Sequence, residues 1–257
     1  VLRFSLLGSG SSGNAALVQA GETILLLDCG LAYKHLEERA ASVGIQLSQI
    51  TAVLITHEHG DHIKSLGTLT RRLGIPVYIT PETYRAVAEK LGEIPGVCHF
   101  EAGDRWTIGD IEVLSIQVNH DAVDPVAFSL HCGPSRMAFV TDVGHCSHLI
   151  RNRLTGMHAL VMESNYCPDM LRNGSYPPQV QQRIRSRNGH LSNHDMASLL
   201  DDLVHDQLQT VVLVHISERN NEPELVRRLA KGVLKDHPAE LVLATQDAPT
   251  AWFEVRA

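Results

Sequence analysis

His57-Glu58-His59-Gly60-Asp61-His62 gathers four side chains able to hold a metal ion into six residues, directly after the apolar run Ala52-Val53-Leu54-Ile55-Thr56. The run reads as a buried strand, so these ligands sit just beyond a strand end, where a sharp loop can turn them toward one point. Imidazole nitrogen and carboxylate oxygen together suit a borderline ion such as Zn²⁺. Random placement of the chain's 15 His and its Asp residues would produce about 0.003 matches to H-x-H-x-D-H, so chance does not explain the run.

Upstream of this run, the chain reads as strands separated by turns: Leu2 to Leu7, the tight Gly8-Ser9-Gly10-Ser11-Ser12-Gly13-Asn14 segment, Ala15 to Ala20 and Thr23 to Asp28. A helix is expected near Ala32 to Val43 with Gly44 as its stop. Downstream, helical spacing covers Asp61 to Leu73 and Pro81 to Leu91, the latter capped by Thr80 with Pro81 in its first turn. Strand patterns return between Val97 and Thr141, including Ile111 to Val118, Val126 to His131 and Arg136 to Thr141. Strands at Ala159 to Met162, Thr210 to Val214 and Glu240 to Ala244 then alternate with helices. No linker or composition shift interrupts the pattern, and the expectation is a single α/β domain over residues 1–257.

Twenty-two Lys and Arg against 29 Asp and Glu leave a net charge of −7. That balance excludes coating of nucleic acid or anionic membrane by bulk charge and leaves room only for a local basic groove. No stretch approaches the ~20 apolar residues of a membrane span, and Val1-Leu2-Arg3-Phe4 enters a strand pattern rather than a signal peptide. A cytoplasmic protein without a membrane partner is expected. The five cysteines (Cys29, Cys98, Cys132, Cys146, Cys167) form no C-x-x-C pair, which indicates buried free thiols rather than a disulfide framework or a cysteine metal site.

The H-x-H-x-D-H run after an apolar strand, the upstream strand ending in Asp28, and later isolated His and Asp at strand ends resemble the metallo-β-lactamase superfamily. This resemblance implies a four-layer αββα sandwich, which periodicity alone does not distinguish from other mixed folds. It further implies that His57, His59 and His120 hold one divalent ion, that Asp61, His62 and His215 hold a second, and that Asp142 bridges them. The ligands accept Zn²⁺ or Mn²⁺. Asp28 is implied to support the histidine loop by hydrogen bonds rather than to bind metal. An Asp at the second site, where many β-lactamases of this fold carry Cys, favours phosphoester or other hydrolytic substrates. Two such ions can generate a bridging hydroxide near neutral pH and clamp an in-line phosphoryl displacement.

Finer marks resemble the bacterial YycJ/WalJ group, associated with exonuclease action on DNA from the 5′ side. They are Leu7 to Asn14, Gly189-His190-Leu191-Ser192-Asn193, and Val214-His215-Ile216-Ser217 followed by Asn220-Asn221. Glu163 and the His190 loop are also similar to ribonuclease Z, although the chain lacks an inserted arm for transfer RNA. The implied catalytic residues are Asp61, His190 and Glu163, with His190 serving the leaving oxygen and Glu163 orienting its ring. Arg183, Arg185 and Arg187, with Ser12 and Asn14 of the Gly/Ser segment, are candidate phosphate contacts; a solvated helix face and a simple turn are the bland alternatives. The expectation is a di-metal phosphodiesterase acting on nucleic acid, in first place a 5′-to-3′ DNA exonuclease. A thioester or lactone hydrolase of the same fold is the competing reading, and a metal-stabilised binding module is the reading from another class.

Overall fold

Two seven-stranded sheets account for the strands of the computed structural model, which describes residues 1–257. In the first sheet β1 (Leu2–Gly8), β2 (Ala15–Ala20) and β3 (Thr23–Leu27) form an antiparallel meander. Here β4 (Ala52–Leu54), β5 (Val77–Ile79) and β6 (Val97–His99) join in parallel. The second sheet repeats the plan. Antiparallel β7 (Arg105–Ile108), β8 (Ile111–Gln117), β9 (Val126–Cys132) and β10 (Ser135–Val140) lead into parallel β11 (Ala159–Glu163), β12 (Thr210–Val214) and β13 (Glu240–Leu243). Finally β14 (Phe253–Val255) returns to pair with β1.

Three apolar layers define the expected αββα order. Phe4, Leu27 and Leu54 of the first sheet pack with Phe128, Phe139 and Val212 of the second. Because side chains alternate along a strand, Leu26 and Val53 point the other way, onto Leu36 of α1 (Tyr33–Ser42), Leu69 of α3 (Leu66–Leu73) and Val87 of α4 (Pro81–Leu91). Likewise Met162 and Leu213 meet Ile150 of α5 (His148–Leu154), Leu199 of α8 (Asn193–Leu203) and Val226 of α9 (Pro223–Leu234). Burial on both faces explains why β3 and β12 read as unbroken apolar runs rather than alternating ones. No helix is long and apolar enough to cross a membrane.

The sheet directions decide where chemistry can occur. Strand β3 is parallel to β4, β10 to β11, and β11 to β12, while β8 and β10 both run antiparallel to β9. The C-terminal ends of β3 and β4 in one sheet and of β8, β10, β11 and β12 in the other open on one edge of the sandwich.

The structure departs from the local reading in three places. Helical spacing over Asp61 to Leu73 is realised as two helices, α2 (Gly60–Ile63) and α3, separated at Lys64–Ser65. Ser65 leaves helical geometry there because its N–H donates to the Cys29 carbonyl (3.0 Å). The solvated helix face weighed for Arg183, Arg185 and Arg187 is helical only as far as Ile184, as α7 (Pro178–Ile184), following the short α6 (Pro168–Asn173). Strands β5 and β14 were not expected. Each is three residues long, too short for a period-2 pattern to register, and exists through its partner strand.

Candidate metal centre

Asp28 follows β3, the 57–62 loop follows β4, His120 follows β8, Asp142 follows β10, Glu163 ends β11 and His215 follows β12. Register aligns the last pair: Glu163 lies opposite Val214, so His215 emerges beside it. Asp28, Asp142 and His215 all adopt positive φ (58°, 55° and 53°). A non-glycine residue accepts such a conformation at a cost that surrounding structure must offset, and such residues concentrate at functional sites. Close backbone contact also shapes the floor. A Cβ on Gly30 would lie 1.6 Å from the Asp61 carbonyl oxygen, so only glycine lets the Asp28 turn pass beneath the 57–62 loop.

All seven residues expected to hold metal are brought together. His59 Nδ1 lies 3.1 Å from His57 Nε2 and 3.3 Å from His120 Nε2. His62 Nε2 lies 3.2 Å from Asp142 Oδ2 and 3.6 Å from Asp61 Oδ2. His215 contacts Asp142 Oδ1 through Nδ1 (2.9 Å) and Asp61 Oδ2 through Nε2 (3.8 Å). Three groups can each hold an ion: His57, His59 and His120; His57, His62 and Asp142; and Asp142, Glu163, His190 and His215.

Hydrogen bonds behind the rings test whether this donor set fits cations. His120 Nδ1 donates to the Gly189 carbonyl (2.9 Å), His62 Nδ1 contacts Asp28 Oδ2 (2.7 Å), and His57 Nδ1 contacts the Thr56 hydroxyl (3.0 Å). With Nδ1 occupied outside, the Nε2 lone pairs face inward beside two carboxylates, the arrangement that fixes tautomers for metal ligation. The donors therefore fit a dinuclear site for borderline divalent ions. Asp28 is fully buried and also accepts from the Thr56 N–H (2.9 Å) and hydroxyl, so it clamps the strand end to the loop.

Electrostatics follow the same contacts. Burial alone would lower His62, but Asp28 and Asp142 outweigh it and push it up to about 10. Burial likewise opposes protonation of His215, and Asp142 and Glu163 raise it well above the usual range. For His57, burial and the neighbouring His62 hold the ring well below it. Burial works against ionised Asp142, yet His215 and His62 hold its carboxyl well below the usual carboxylate range.

Glu163 is buried, and its Oε1 lies 2.8 Å from His190 Nδ1 and 3.0 Å from His215 Nδ1. Its Oε2 accepts from the N–H groups of Val143 (3.0 Å) and Leu191 (3.1 Å). Burial would raise this carboxyl, but His190 and His215 bring it down to about 2. His190 is held up by Glu163 against the opposing effect of burial.

The phosphate candidates separate. Asn14 is buried, its amide directed at the Gly10 carbonyl (3.0 Å), Asp61 Oδ2 (3.3 Å) and His62 Nε2 (3.2 Å), so it is a strut under the site, closed to a ligand. Ser12 is exposed, with its N–H given to Gln246 Oε1 (2.8 Å). Arg183 is committed to an ion pair with Asp121, the neighbour of His120. Arg185 and Arg187 are exposed. Cys29 and Cys146 are thiols pushed up by burial to about 12, neighbours of the site rather than ligands.

Sequence reasoning missed Asp121, whose tie to α7 spans loops distant in the chain, and the role of the asparagines. Asn193 and Asn221 exchange reciprocal amide bonds (2.8 Å each), Asn221 also donates to the Ser164 carbonyl (3.0 Å), and Asn165 donates to the His215 carbonyl (2.8 Å). This buried network holds the His215 turn in place. Its signal was the Ser-Asn and Asn-Asn pairs already noted as family marks.

A β-lactamase superfamily domain model matches residues 23–216. The chain is 39% identical to exodeoxyribonuclease YycJ of Bacillus anthracis over 237 residues, covering 91% of this chain and 90% of the relative. It is 34% identical to exodeoxyribonuclease WalJ of Streptococcus pneumoniae, covering 87% and 84%. Among solved structures, the metallo-β-lactamase fold protein YhfI of Bacillus subtilis superposes with a TM-score of 0.75 at 17% identity, over 99% of this chain and 100% of that one.

Proposed function

This chain belongs to the metallo-β-lactamase superfamily, together with the YycJ and WalJ proteins, and from that premise we propose that it is a di-metal phosphodiesterase removing nucleotides from the 5′ end of DNA. The observation that carries this reading is His190 on the rim of the donor cluster, its Nδ1 held by Glu163 at 2.8 Å and lying 3.4 Å from Asp142 Oδ1. Hydrolysis of a phosphodiester needs a cation or proton donor for the departing oxygen as well as an activated nucleophile. A pair of ions can serve both oxygens, and a positioned proton donor adds to this at the departing one.

His57, His59 and His120 would hold one ion, Asp61, His62 and His215 the other, with Asp142 shared. When bound, such a pair supplies Lewis acidity toward a phosphoryl oxygen and lowers the pKa of water to ~7. The chain's own residues do the rest. Glu163 favours the protonated form of His190 and fixes its ring, so Nε2–H is the free donor for the leaving oxygen, a role worth ~10²- to 10⁴-fold in rate. Glu163 takes four hydrogen bonds, which leaves it an orienting carboxylate rather than a ligand. Asp28 and Asn14 hold the His62 side rigid. Arg185, Arg187 and Ser12 remain free to meet the phosphate backbone, whereas Arg183 braces α7 against Asp121. The whole span, residues 1–257, acts as one catalytic domain, and DNA as substrate is consistent with a cytoplasmic enzyme.

The test is incubation with 5′- and 3′-labelled single- and double-stranded DNA and RNA in the presence of Zn²⁺, Mn²⁺ or chelator. Metal-dependent loss of nucleotides from the 5′ end of DNA is expected. Release from the 3′ end would reverse the polarity, a preference for RNA would change the substrate, and no cleavage of any polynucleotide would overturn the reading.

A further inference from the structure

Beside the donor cluster lies a groove of about 720 Å³ lined by His145, Ser147, His148, Arg151, Asn152 and Arg187, among others. Two segments leaving the cluster form it together with Asp202 and Leu203 at the end of α8. One begins at Asp142 and carries His145 and His148; the other ends at His190 and carries Arg187. They touch at Gly144, where a Cβ would stand 2.4 Å from the Gly189 nitrogen and 2.5 Å from the Arg187 carbonyl oxygen. The groove is thus anchored to the same backbone that positions Asp142 and His190.

Its lining is the wrong chemistry for a small apolar ligand, since only two of its ten residues are hydrophobic, whereas small-molecule pockets are mostly apolar. Two arginines and two histidines face one carboxylate, Asp202. Arg151 is already neutralised by Asp202 and pinned to the Cys146 carbonyl, so it forms a wall. Arg187, His145 and His148 are exposed and engaged by no carboxylate. In a chain of net charge −7, such a strip matches a polyanion.

We propose that this groove holds the phosphate backbone of the polynucleotide substrate within about three nucleotides of the bond that is cut. Three residues separate Asp142 from His145 and His190 from Arg187. That is at most roughly 11 Å of chain, against ~3.4 Å of helix axis per phosphate on each strand. The proposal rests on the nuclease reading and extends it from the scissile phosphate to the neighbouring ones.

The experiment uses the metal-loaded enzyme and single-stranded phosphorothioate-linked DNA of two to eight nucleotides, read by fluorescence anisotropy at several salt concentrations. Wild type should gain at least about threefold in affinity between two and five nucleotides. The H145E/H148E variant, and separately R187Q, should lose that gain and flatten the salt dependence, by ~0.7 in log–log slope for each phosphate contact removed. H35E, on the exposed side of α1, makes a one-charge change outside the groove, the same as R187Q makes within it, and should keep the gain. A wild-type affinity that does not rise with length, or groove variants that match wild type in gain and slope, would overturn the proposal. Cleavage of the same lengths as ordinary phosphodiesters reports separately: length-dependent binding without any cleavage refutes the nuclease reading alone, and cleavage without length dependence refutes the groove alone.

Discussion

The first sheet delivers its side of the centre from two adjacent strand ends, with His57, His59, Asp61 and His62 contiguous in one loop. The second delivers His120, Asp142, Glu163, His190 and His215 from five separate segments. Besides Asp142, which contacts both sides, each side has one buried carboxylate behind its rings, and the two differ in reach. Asp28 holds one ring at 2.7 Å, while Glu163 holds two, at 2.8 and 3.0 Å. The local side depends on the shape of one loop. The assembled side depends on the registration of parallel strands and on a few residues that touch several others at once, and there a single substitution should spread furthest.

Asp142 is the sharpest test, because it touches both sides, His62 at 3.2 Å and His215 at 2.9 Å. D142A should lose at least one of two ions in metal analysis and cost more activity than the ~10²- to 10⁴-fold of a missing acid. Retention of both ions with wild-type rates would break the assignment of Asp142 as the shared residue. Next in size is H190A. It should retain both ions and lose ~10²- to 10⁴-fold on DNA, but far less on a nitrophenyl phosphodiester whose leaving group needs no proton. Equal loss on both substrates would remove its role toward the leaving oxygen.

The two orienting carboxylates compare directly. E163Q and D28N should each cost ~10- to 100-fold in metal affinity or activity, with E163Q the larger because Glu163 contacts two rings and two backbone N–H groups. Only E163Q should also shift the pH profile of DNA cleavage downward, since it removes the group that raises His190. A larger effect of D28N would mean that the local side is the more fragile.

The smallest effect is on stability against pH. In metal-free protein His62, raised from 6.5 to about 10, stabilises the fold fully below its unfolded pKa, and that contribution is lost as pH rises through 10. Glu163, lowered from 4.5 to about 2, contributes above 4.5 and loses that contribution as pH falls through 2. The metal-free Tm should therefore decline between pH 7 and 10, a decline that bound metal removes because it requires His62 deprotonated. Zn²⁺ affinity should fall at lower pH as protons compete for the same nitrogens, which calorimetry in buffers of different ionisation enthalpy would detect. Parallel pH dependence of the two forms would contradict this coupling.

Much of the fold was legible because its signals are local. Apolar runs such as Leu25 to Leu27 and Val211 to Val214 mark strands buried on two faces, and Thr80-Pro81 marks a helix start. The histidine loop was legible for the same reason, its donors lying within one turn of chain. What local pattern cannot encode is the partner. Ser65 breaks a helix because Cys29 reaches it, and β14 is a strand only because β1 offers an edge.

By itself the sequence determined that a histidine-rich loop follows a buried strand in a mixed α/β chain, and, through the family marks, which later residues to bring to it. Only the tertiary structure decided how the arginine-rich segment is used. Arg183 reads as one of three equivalent cations, yet Asp121 claims it, while Arg187 lines a groove with His145 and His148. Asn14 reads as a phosphate contact and is instead sealed beneath Asp61 and His62. The physical reason is that a charge or amide acquires its role from the groups within hydrogen-bond reach of it, and here those groups lie on segments remote in the chain that the sheets bring to one edge.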